Sequence, residues 1–370
     1  MIATPVAPAD ASGRMSVGSA ARRNLAVIFN PAAGRGGRRI LERTVQELAR
    51  RDFRIDLCET AARGDAEHLA REAAGADMVI AAGGDGTLNE VLNGLADRPR
   101  PLAVLPIGTA NMLATEIGMP ATPSAFAEAV ALAPLRQIWV GEASGRRFAL
   151  VIGVGFDARV VAAVRAGLKQ RLGKWAYALA ALRELLRHRP ARYHVRIDGE
   201  SFEAAAVIVA KARFYAGRFV VAPNARATSP YLEICLLGGS RRQDVVRCAA
   251  ALACGRLARQ EDVVLLRGRE VSIEGRAGEP VQGDGDIIAS LPITVRVVAT
   301  PVDLLFPKPT SPDDHGELSV APRLRPGGFF SPKMSGPTRE FPRPESTEEE
   351  RYHECRSSLG SRIPGPGWAA

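Results

Sequence analysis

Residues 81–90, Ala81-Ala82-Gly83-Gly84-Asp85-Gly86-Thr87-Leu88-Asn89-Glu90, set a carboxylate among glycines between an apolar run and an amphipathic one. The preceding run, Asp77-Met78-Val79-Ile80-Ala81-Ala82, is short and unbroken, the pattern of a strand buried on both faces. Residues 88–95 read as a helix. Gly83, Gly84 and Gly86 carry no Cβ, so the backbone between the two elements can approach a ligand closely. The helix start that follows has unpaired N–H groups suited to an anion such as a nucleotide phosphate. Asp85 faces such an anion only with a cation such as Mg²⁺ between them, or when it holds a hydroxyl. A bare Gly-Gly is as well read as a tight turn with Asp85 capping the helix; the full decapeptide favours the phosphate cradle.

Working outward, strand-like runs at 25–29, 53–57, 77–82 and 102–105 alternate with helical patterns near 38–50, 65–74 and 88–95. Such alternation implies right-handed crossovers and a doubly wound parallel sheet, with ligands bound beyond the carboxyl ends of the strands. After about Pro134 the character changes to short β-like runs at 148–152, 193–197, 205–210, 219–221, 232–237, 263–266, 271–273 and 293–298, broken by one helical stretch over 158–189. That density of strands predicts a second, mostly antiparallel domain. The expected organisation is a disordered tail at 1–22, an α/β nucleotide-binding domain at 23–135 to which about 299–307 return, a β-rich domain at 136–298, and a disordered tail at 308–370. The last segment is rich in Pro, Gly, Ser and charge, too polar to order itself by burial.

Composition narrows the partners. The formal charge of +9 points to an anionic partner, whether nucleotide, nucleic acid or the acidic face of a membrane. Aromatic residues are only 5% and no zinc-finger spacing or RNA-recognition motif is present, which argues against nucleic acid. The cysteines, Cys58, Cys235, Cys248, Cys254 and Cys355, form no C-x-x-C pair, as expected of a reducing, cytoplasmic compartment without a structural zinc site. No apolar run approaches the roughly 20 residues needed to span a bilayer.

Two further loops follow strands on the same edge. Asn30-Pro31-Ala32-Ala33-Gly34-Arg35-Gly36-Gly37 lacks the Gly-Lys-Ser/Thr ending of a P-loop and the spacing of a dinucleotide fingerprint. Leu105-Pro106-Ile107-Gly108-Thr109-Ala110-Asn111 offers Thr109 and Asn111 as caps for the next helix or as ligand contacts. Each alone is as readily a plain turn. Together with Asp85 they are not.

In this order the loops resemble the diacylglycerol kinase catalytic-domain family, which includes bacterial lipid kinases and the sphingosine and ceramide kinases. The matching residues are Asn30-Pro31 with Gly34 and Gly36, Thr60 with Gly64-Asp65-Ala66, the 83–94 block, and Pro106 through Asn111. Gly153-Val154-Gly155-Phe156-Asp157, Gly217, Ala222-Pro223 with Ala225, and Gly283-Asp284-Gly285-Asp286 extend the match over roughly residues 24–307. The Gly-Gly-Asp-Gly-Thr core is shared with NAD kinases and phosphofructokinases, but Gly108-Thr109-Ala110-Asn111 and the late Asp-Gly-acid element favour the lipid branch.

The resemblance implies an ATP-dependent phosphotransferase acting on a hydroxyl of diacylglycerol or a related lipid alcohol, with an NAD-kinase-like first domain and a β-sandwich second domain that receives the lipid. It places ATP, with Mg²⁺, against Asn30, Thr60, Gly83, Gly84, Asp85, Gly86, Thr87, Leu88, Asn89, Gly108 and Thr109. Asp85 joins Asp284 and Asp286 as a catalytic carboxylate, with one of the latter two as base toward the acceptor. Acids at i and i+2 around Gly285 are expected to converge and raise one pKa. An exposed Asp-Gly turn is the plainer reading of the same residues. There are departures: Asp286 stands where the family usually has Glu, Met112 where it often has Asp, and Lys211 where Asn is frequent. Thr228-Ser229-Pro230 replaces an Asp-Asp-Gly that supplies a structural Mg²⁺ site in some members, so no second metal site is expected.

Within 158–189 the basic residues include Arg159, Arg165, Lys169, Arg171, Lys174, Arg183, Arg187 and Arg189, with Glu184 the sole carboxylate after Asp157. Val160, Val161, Val164, Leu168, Leu172, Trp175, Leu179, Leu182 and Leu186 supply an apolar side. The apolar face is expected to pack on its own domain, leaving the basic face, with Trp175 and Tyr177, for peripheral contact with an anionic membrane at its inner, cytoplasmic side. The alternatives are a soluble-metabolite kinase of NAD type and a nucleotide-binding regulator without transfer activity.

Overall fold

The structure is a computed structural model that describes residues 24–34, 36–164, 174–187 and 189–307, without side chains for 174–178. The tails expected at 1–22 and 308–370 lie outside these residues. The first lobe runs β1 (Asn24–Phe29), α1 (Gly37–Ala49), β2 (Arg54–Glu59), α2 (Asp65–Glu72), β3 (Met78–Gly83), α3 (Asp85–Gly94), β4 (Leu102–Pro106), α4 (Met112–Glu116), α5 (Pro123–Leu132) and β5 (Leu135–Ile138). The second runs β6 (Gly141–Ala143), β7 (Arg146–Phe148), β8 (Val151–Val154), α6 (Phe156–Ala163), α7 (Lys174–Leu186), β9 (Tyr193–Ile197), β10 (Glu200–Ala204), β11 (Ala206–Ala210), β12 (Phe214–Tyr215) and β13 (Phe219–Val220). It continues with β14 (Leu232–Leu237), α8 (Arg242–Ala253), β15 (Val263–Gly268), β16 (Glu270–Glu274), β17 (Pro280–Gly283), β18 (Asp286–Ser290) and β19 (Ile293–Val297). Finally β20 (Val302–Leu305) returns to the first sheet.

That sheet has the order β2-β1-β3-β4-β20-β5, parallel throughout except for β5. The chain steps one way from β1 to β2 and the other way from β2 through β3 to β4. Right-handed crossovers therefore put α1 on one face and α2 with α3 on the other. Every residue of β3 is buried, as its unbroken apolar run requires of a central strand.

The second lobe stacks two antiparallel sheets, β10-β9-β16-β19-β6-β7 and β15-β14-β11-β8-β17-β18. Residues 193–197 alternate buried and exposed, so Tyr193, Val195 and Ile197 face inward. They meet Ile152, Val207 and Ile234 from the other sheet, the core of a β-sandwich. The outer face of the second sheet, with Ile208 and Cys235, is covered in part by Cys248 and Leu252 of α8.

Four expectations are corrected. The single strand expected at 148–152 is two strands, because the chain breaks pairing at Ala149 and Leu150, whose N–H groups turn to Asp284 instead. The helix expected over 158–189 is α6 and α7: α6 ends at Val164, which is extended, where β-branched Val160, Val161 and Val164 weaken helical continuation. The segment 165–173 and the side chains of Trp175 and Tyr177 lie outside the described residues. The apolar face of α7 does not pack inward throughout: Leu179, Leu182 and Leu186 are exposed, while the small Ala180 is buried. Helix α8 also stands where only strands were expected; Asp244 accepts the N–H of Arg241 at 2.9 Å and fixes its start.

Close packing of α2 on α3 depends on Gly94, where a Cβ would run into the Glu67 carbonyl and the Ala70 side chain. Gly94→Ala is expected to cost about 1–3 kcal/mol by overpacking. Gly75→Ala, at a position facing open space, should stay within about 0.5 kcal/mol. Urea unfolding of both variants checks the pair.

Candidate functional site

The loops after β1, β3 and β4 meet at one sheet edge. Gly34, at φ 68°, lies against the Ile107 carbonyl, and Gly108 lies against the backbone of Gly84; neither place admits a side chain. Asn30 fastens the first loop to α3: its Nδ2 donates to Thr87 Oγ1 at 3.1 Å while its Oδ1 accepts the Ala32 N–H at 2.9 Å. Thr87 is buried against Gly83. Leu88 points into the core and its N–H donates to the Gly84 carbonyl at 3.1 Å, so it supports the loop from behind. The N–H groups of Asp85, Gly86 and Thr87 are those that a helix leaves unsatisfied in its first turn, and Gly86 is exposed with open space beside it. Thr60 is half-buried after β2, its N–H bonded to the Phe29 carbonyl at 2.9 Å, and Thr109 is exposed on the third loop. The edge therefore has the form of an anion cradle.

Asp85 does cap a helix, but that helix is α4, not its own. Its Oδ1 accepts the Met112 N–H at 2.8 Å. Burial lifts the Asp85 pKa to about 6; the N–H groups of Met112, Leu113 and Asn111 pull it down, and nearby Asp284 pushes it up. At the other end of α4, Glu116 accepts the Arg213 N–H at 3.0 Å, and burial raises its pKa. Beside it lies Lys211, fully buried, its Nζ donating to the carbonyls of Ser229 at 2.5 Å and Tyr231 at 2.9 Å. A lysine ammonium thus occupies the space beside Thr228-Ser229-Pro230.

On the acceptor side, Gly283 pairs with Asp286, leaving Asp284-Gly285 as a two-residue hairpin loop with φ of 50° and 90°. Asp-Gly suits such a turn because both residues tolerate positive φ. The turn aims Asp284 inward. Its Oδ1 accepts N–H groups from Leu150 at 3.1 Å and Val151 at 2.8 Å; its Oδ2 accepts Ala149 N–H at 3.0 Å and Asn89 Nδ2 at 2.9 Å. Burial raises its pKa, against the pull of those four donors. Asp286 opens β18 and pairs with Arg63 at 3.1 Å, half-exposed. The expected convergence of the two acids is therefore not seen: the hairpin sends them to different partners, and burial is the leading cause of the Asp284 shift.

Four contributors were assigned no role in the site by the sequence reading. Asn93 sits one turn after Asn89 on α3 and clasps the backbone of Arg147, accepting its N–H at 2.9 Å and donating to its carbonyl at 3.0 Å. Polar residues at helical spacing within an otherwise apolar helix were the available signal. Gln282 Nε2 donates to Asp157 at 2.8 Å and its Oε1 accepts the Gly285 N–H at 3.0 Å. Tyr215 donates to the other Asp157 oxygen, so a buried chain of hydrogen bonds supports the Asp284 turn from behind. Gly153 leaves the room that Asp157 and Gln282 need.

Comparison with known proteins gives the same result. A sequence profile of the diacylglycerol kinase catalytic domain matches residues 24–143, and one of the YegS C-terminal NAD kinase beta sandwich-like domain matches residues 150–306. A YegS-like probable lipid kinase of Pseudomonas fluorescens is 33% identical over 251 residues, covering 63% of this chain and 82% of that protein. The chain belongs to the diacylglycerol kinase family. The diacylglycerol kinase of Bacillus subtilis is 28% identical over 274 residues, 72% of this chain and 90% of the relative. A crystal structure of a diacylglycerol kinase from Bacillus anthracis superposes with a TM-score of 0.64 at 24% identity, covering 77% of this chain and 97% of that one, a likeness of fold. Membership in a family of lipid kinases makes this a phosphotransferase scaffold, and the cradle and the Asp284 turn lie in the parts matched by the two profiles.

Among the described residues no three His, Cys, Asp or Glu side chains are grouped to hold a metal. The buried cation that is seen, Lys211, has its pKa lowered to about 7 by burial, with Glu233 and Glu116 acting the other way. Between about pH 7 and 10.5 the unfolded lysine binds a proton that the folded one does not, so unfolding free energy should rise with pH across that window. Lys211→Met is expected to lose that rise and, by stranding two carbonyls, to cost about 2–4 kcal/mol at neutral pH. Denaturant titrations at several pH values would show both effects.

Proposed function

We propose that the protein is an ATP-dependent kinase that transfers the γ-phosphoryl group to a hydroxyl of diacylglycerol or a related lipid alcohol. The observation that carries this reading is the Asn89–Asp284 hydrogen bond, which sets the carboxylate of the β17–β18 turn directly against the helix that opens the anion cradle. Phosphoryl transfer needs that adjacency, an anchor for the nucleotide on one side and a proton acceptor on the other.

In this reading the first-turn N–H groups of Asp85, Gly86 and Thr87 hold phosphate oxygens, Asn89, Gly108 and Thr109 line the cradle, and Thr60 borders it. Leu88 and Asn30 maintain its shape from behind. Asp85 suits a Mg²⁺ that arrives with the nucleotide, since that ion keeps most of its waters and asks the protein for one or two carboxylates. When bound, Mg²⁺ offsets charge on the transferred group. Asp284 takes the hydroxyl proton: burial raises its affinity for one. All four of its acceptor positions are filled, so one donor must yield, and Asn89 is the only donor on a side chain. Asp286 and Arg63 form the outer rim.

Purified protein with labelled ATP and a panel of diacylglycerol, ceramide, sphingosine and glycolipid acceptors tests the assignment; transfer to NAD alone would favour the soluble-metabolite reading. Asp85→Asn and Asp284→Asn should each lower turnover about 100-fold or more, measured on protein shown to be folded. The wild-type kcat/KM should fall as pH drops below about 6, where Asp85 takes up a proton, and in Asp85→Asn the acid limb should be less steep, with only the Asp284 base left to titrate.

A further inference from the structure

The acceptor proposed above resides in bilayers, which raises the question of which face of the protein meets one. Helix α7 answers it by its inverted packing. Leu179, Leu182 and Leu186, spaced as one helical stripe, are 54%, 55% and 65% exposed, while Ala180 on the same helix is buried. A helix that merely covered its own lobe would turn the leucines in and the alanine out. Arg183 and Arg187 are exposed along one edge of the stripe, and Glu184 is set back, half-buried. At the end of the stripe Arg242 of α8 donates to the Leu186 carbonyl at 2.8 Å, bringing a third guanidinium to the same end.

The stripe is joined to the acceptor side. Helix α7 packs on α6, and α6 packs on β8, β17 and β18, the strands around the Asp284 turn. Ile287, next after Asp286, is itself exposed. Among the described residues no helix is long and apolar enough to cross a membrane, so an apolar stripe with basic edges fits contact from one side.

We infer that α7 is a docking face for an anionic bilayer. The leucine stripe enters the boundary between headgroups and acyl chains, and Arg183, Arg187 and Arg242 meet lipid phosphates. Docked this way, the face is linked through α6 to the strands β17 and β18 that carry the Asp284 turn. The inference borrows the lipid-kinase reading only for the purpose of the contact; binding itself requires no transfer.

The test uses the full chain and sedimentation with vesicles of phosphatidylcholine, alone or mixed with phosphatidylglycerol. Wild type should bind the mixed vesicles more strongly, and salt should weaken that preference. Leu179→Ser/Leu182→Ser/Leu186→Ser should bind at least about tenfold more weakly, with unchanged thermal unfolding because the three side chains are exposed. Arg183→Gln/Arg187→Gln should lose the preference for phosphatidylglycerol. Activity toward a soluble short-chain diacylglycerol should be the same in all three proteins, while activity on vesicle-embedded substrate should fall in the variants. Equal vesicle binding by wild type and the serine variant would overturn the inference. So would a wild-type dimer that the serine variant converts to monomer, since the stripe would then be a contact between copies. Vesicle binding without transfer to any lipid would leave the docking face standing and remove the lipid-kinase reading; transfer with stripe-independent binding would do the reverse.

Discussion

The structure turns on one carboxylate. Asp284 accepts three consecutive backbone N–H groups, from Ala149 and Leu150 between β7 and β8 and from Val151 at the first residue of β8. Those amides have no strand partner there. Each would cost about 1–3 kcal/mol if buried unpaired, so the path of the chain between two strands of the sandwich depends on an acceptor brought from more than 130 residues away. The same carboxylate takes its fourth hydrogen bond from Asn89 in the other lobe. A group placed to satisfy a strand break is thereby also placed against the helix that opens the anion cradle.

The adjacency is held by more than one bond. Asn89 and Asn93, one helical turn apart on α3, both donate to the carbonyl of Arg147, and Asn93 also accepts its N–H. Arg146 adds an ion pair to Glu67 on α2 at 2.6 Å. The β6–β7 hairpin is thus stitched to the two helices on one face of the parallel sheet. Loops at the carboxyl edge are correspondingly tight, since Gly84 and Gly108 approach backbone to backbone. Rigid positioning of this kind is what a phosphoryl-transfer site requires, because little of the rate comes from covalent chemistry by the protein.

Fold class was legible because it depends on periodicity. Buried runs such as 78–83 and alternating runs such as 193–197 report their surroundings directly. Short strands such as β6 and β12 carry too few residues to show a period, and they appear only once neighbours supply their hydrogen bonds. Asp85 and Asp284 stood out among their glycines, yet their partners did not: no local rule tells Asp85 to cap α4 or Asp284 to seek residues 149–151, because both contacts join segments distant in sequence. The direction of the leucines on α7 was misread for a related reason. Amphipathicity states that a helix has two faces, and only tertiary contacts say which one is covered.

Helix α4 shows how the nucleotide side and the second lobe come to depend on each other. Five residues make little more than one turn, too short to persist without support at both ends. Asp85 holds the N-terminal end through the Met112 N–H. The C-terminal end is held by Glu116, which receives the Arg213 N–H and lies near the Lys211 ammonium. Lys211 and Arg213 follow β11 in the sandwich, so α4 is clamped between a loop of one lobe and a strand end of the other. Both clamps are buried ionisable groups, each with its pKa displaced toward neutrality, Asp85 upward and Lys211 downward. Removing the positive charge of Lys211 would take one of three cations from the surroundings of the buried Glu116, which would keep Arg213 and Arg226. The loss would be felt first at α4, whose first N–H group is the one that orients Asp85 in the cradle.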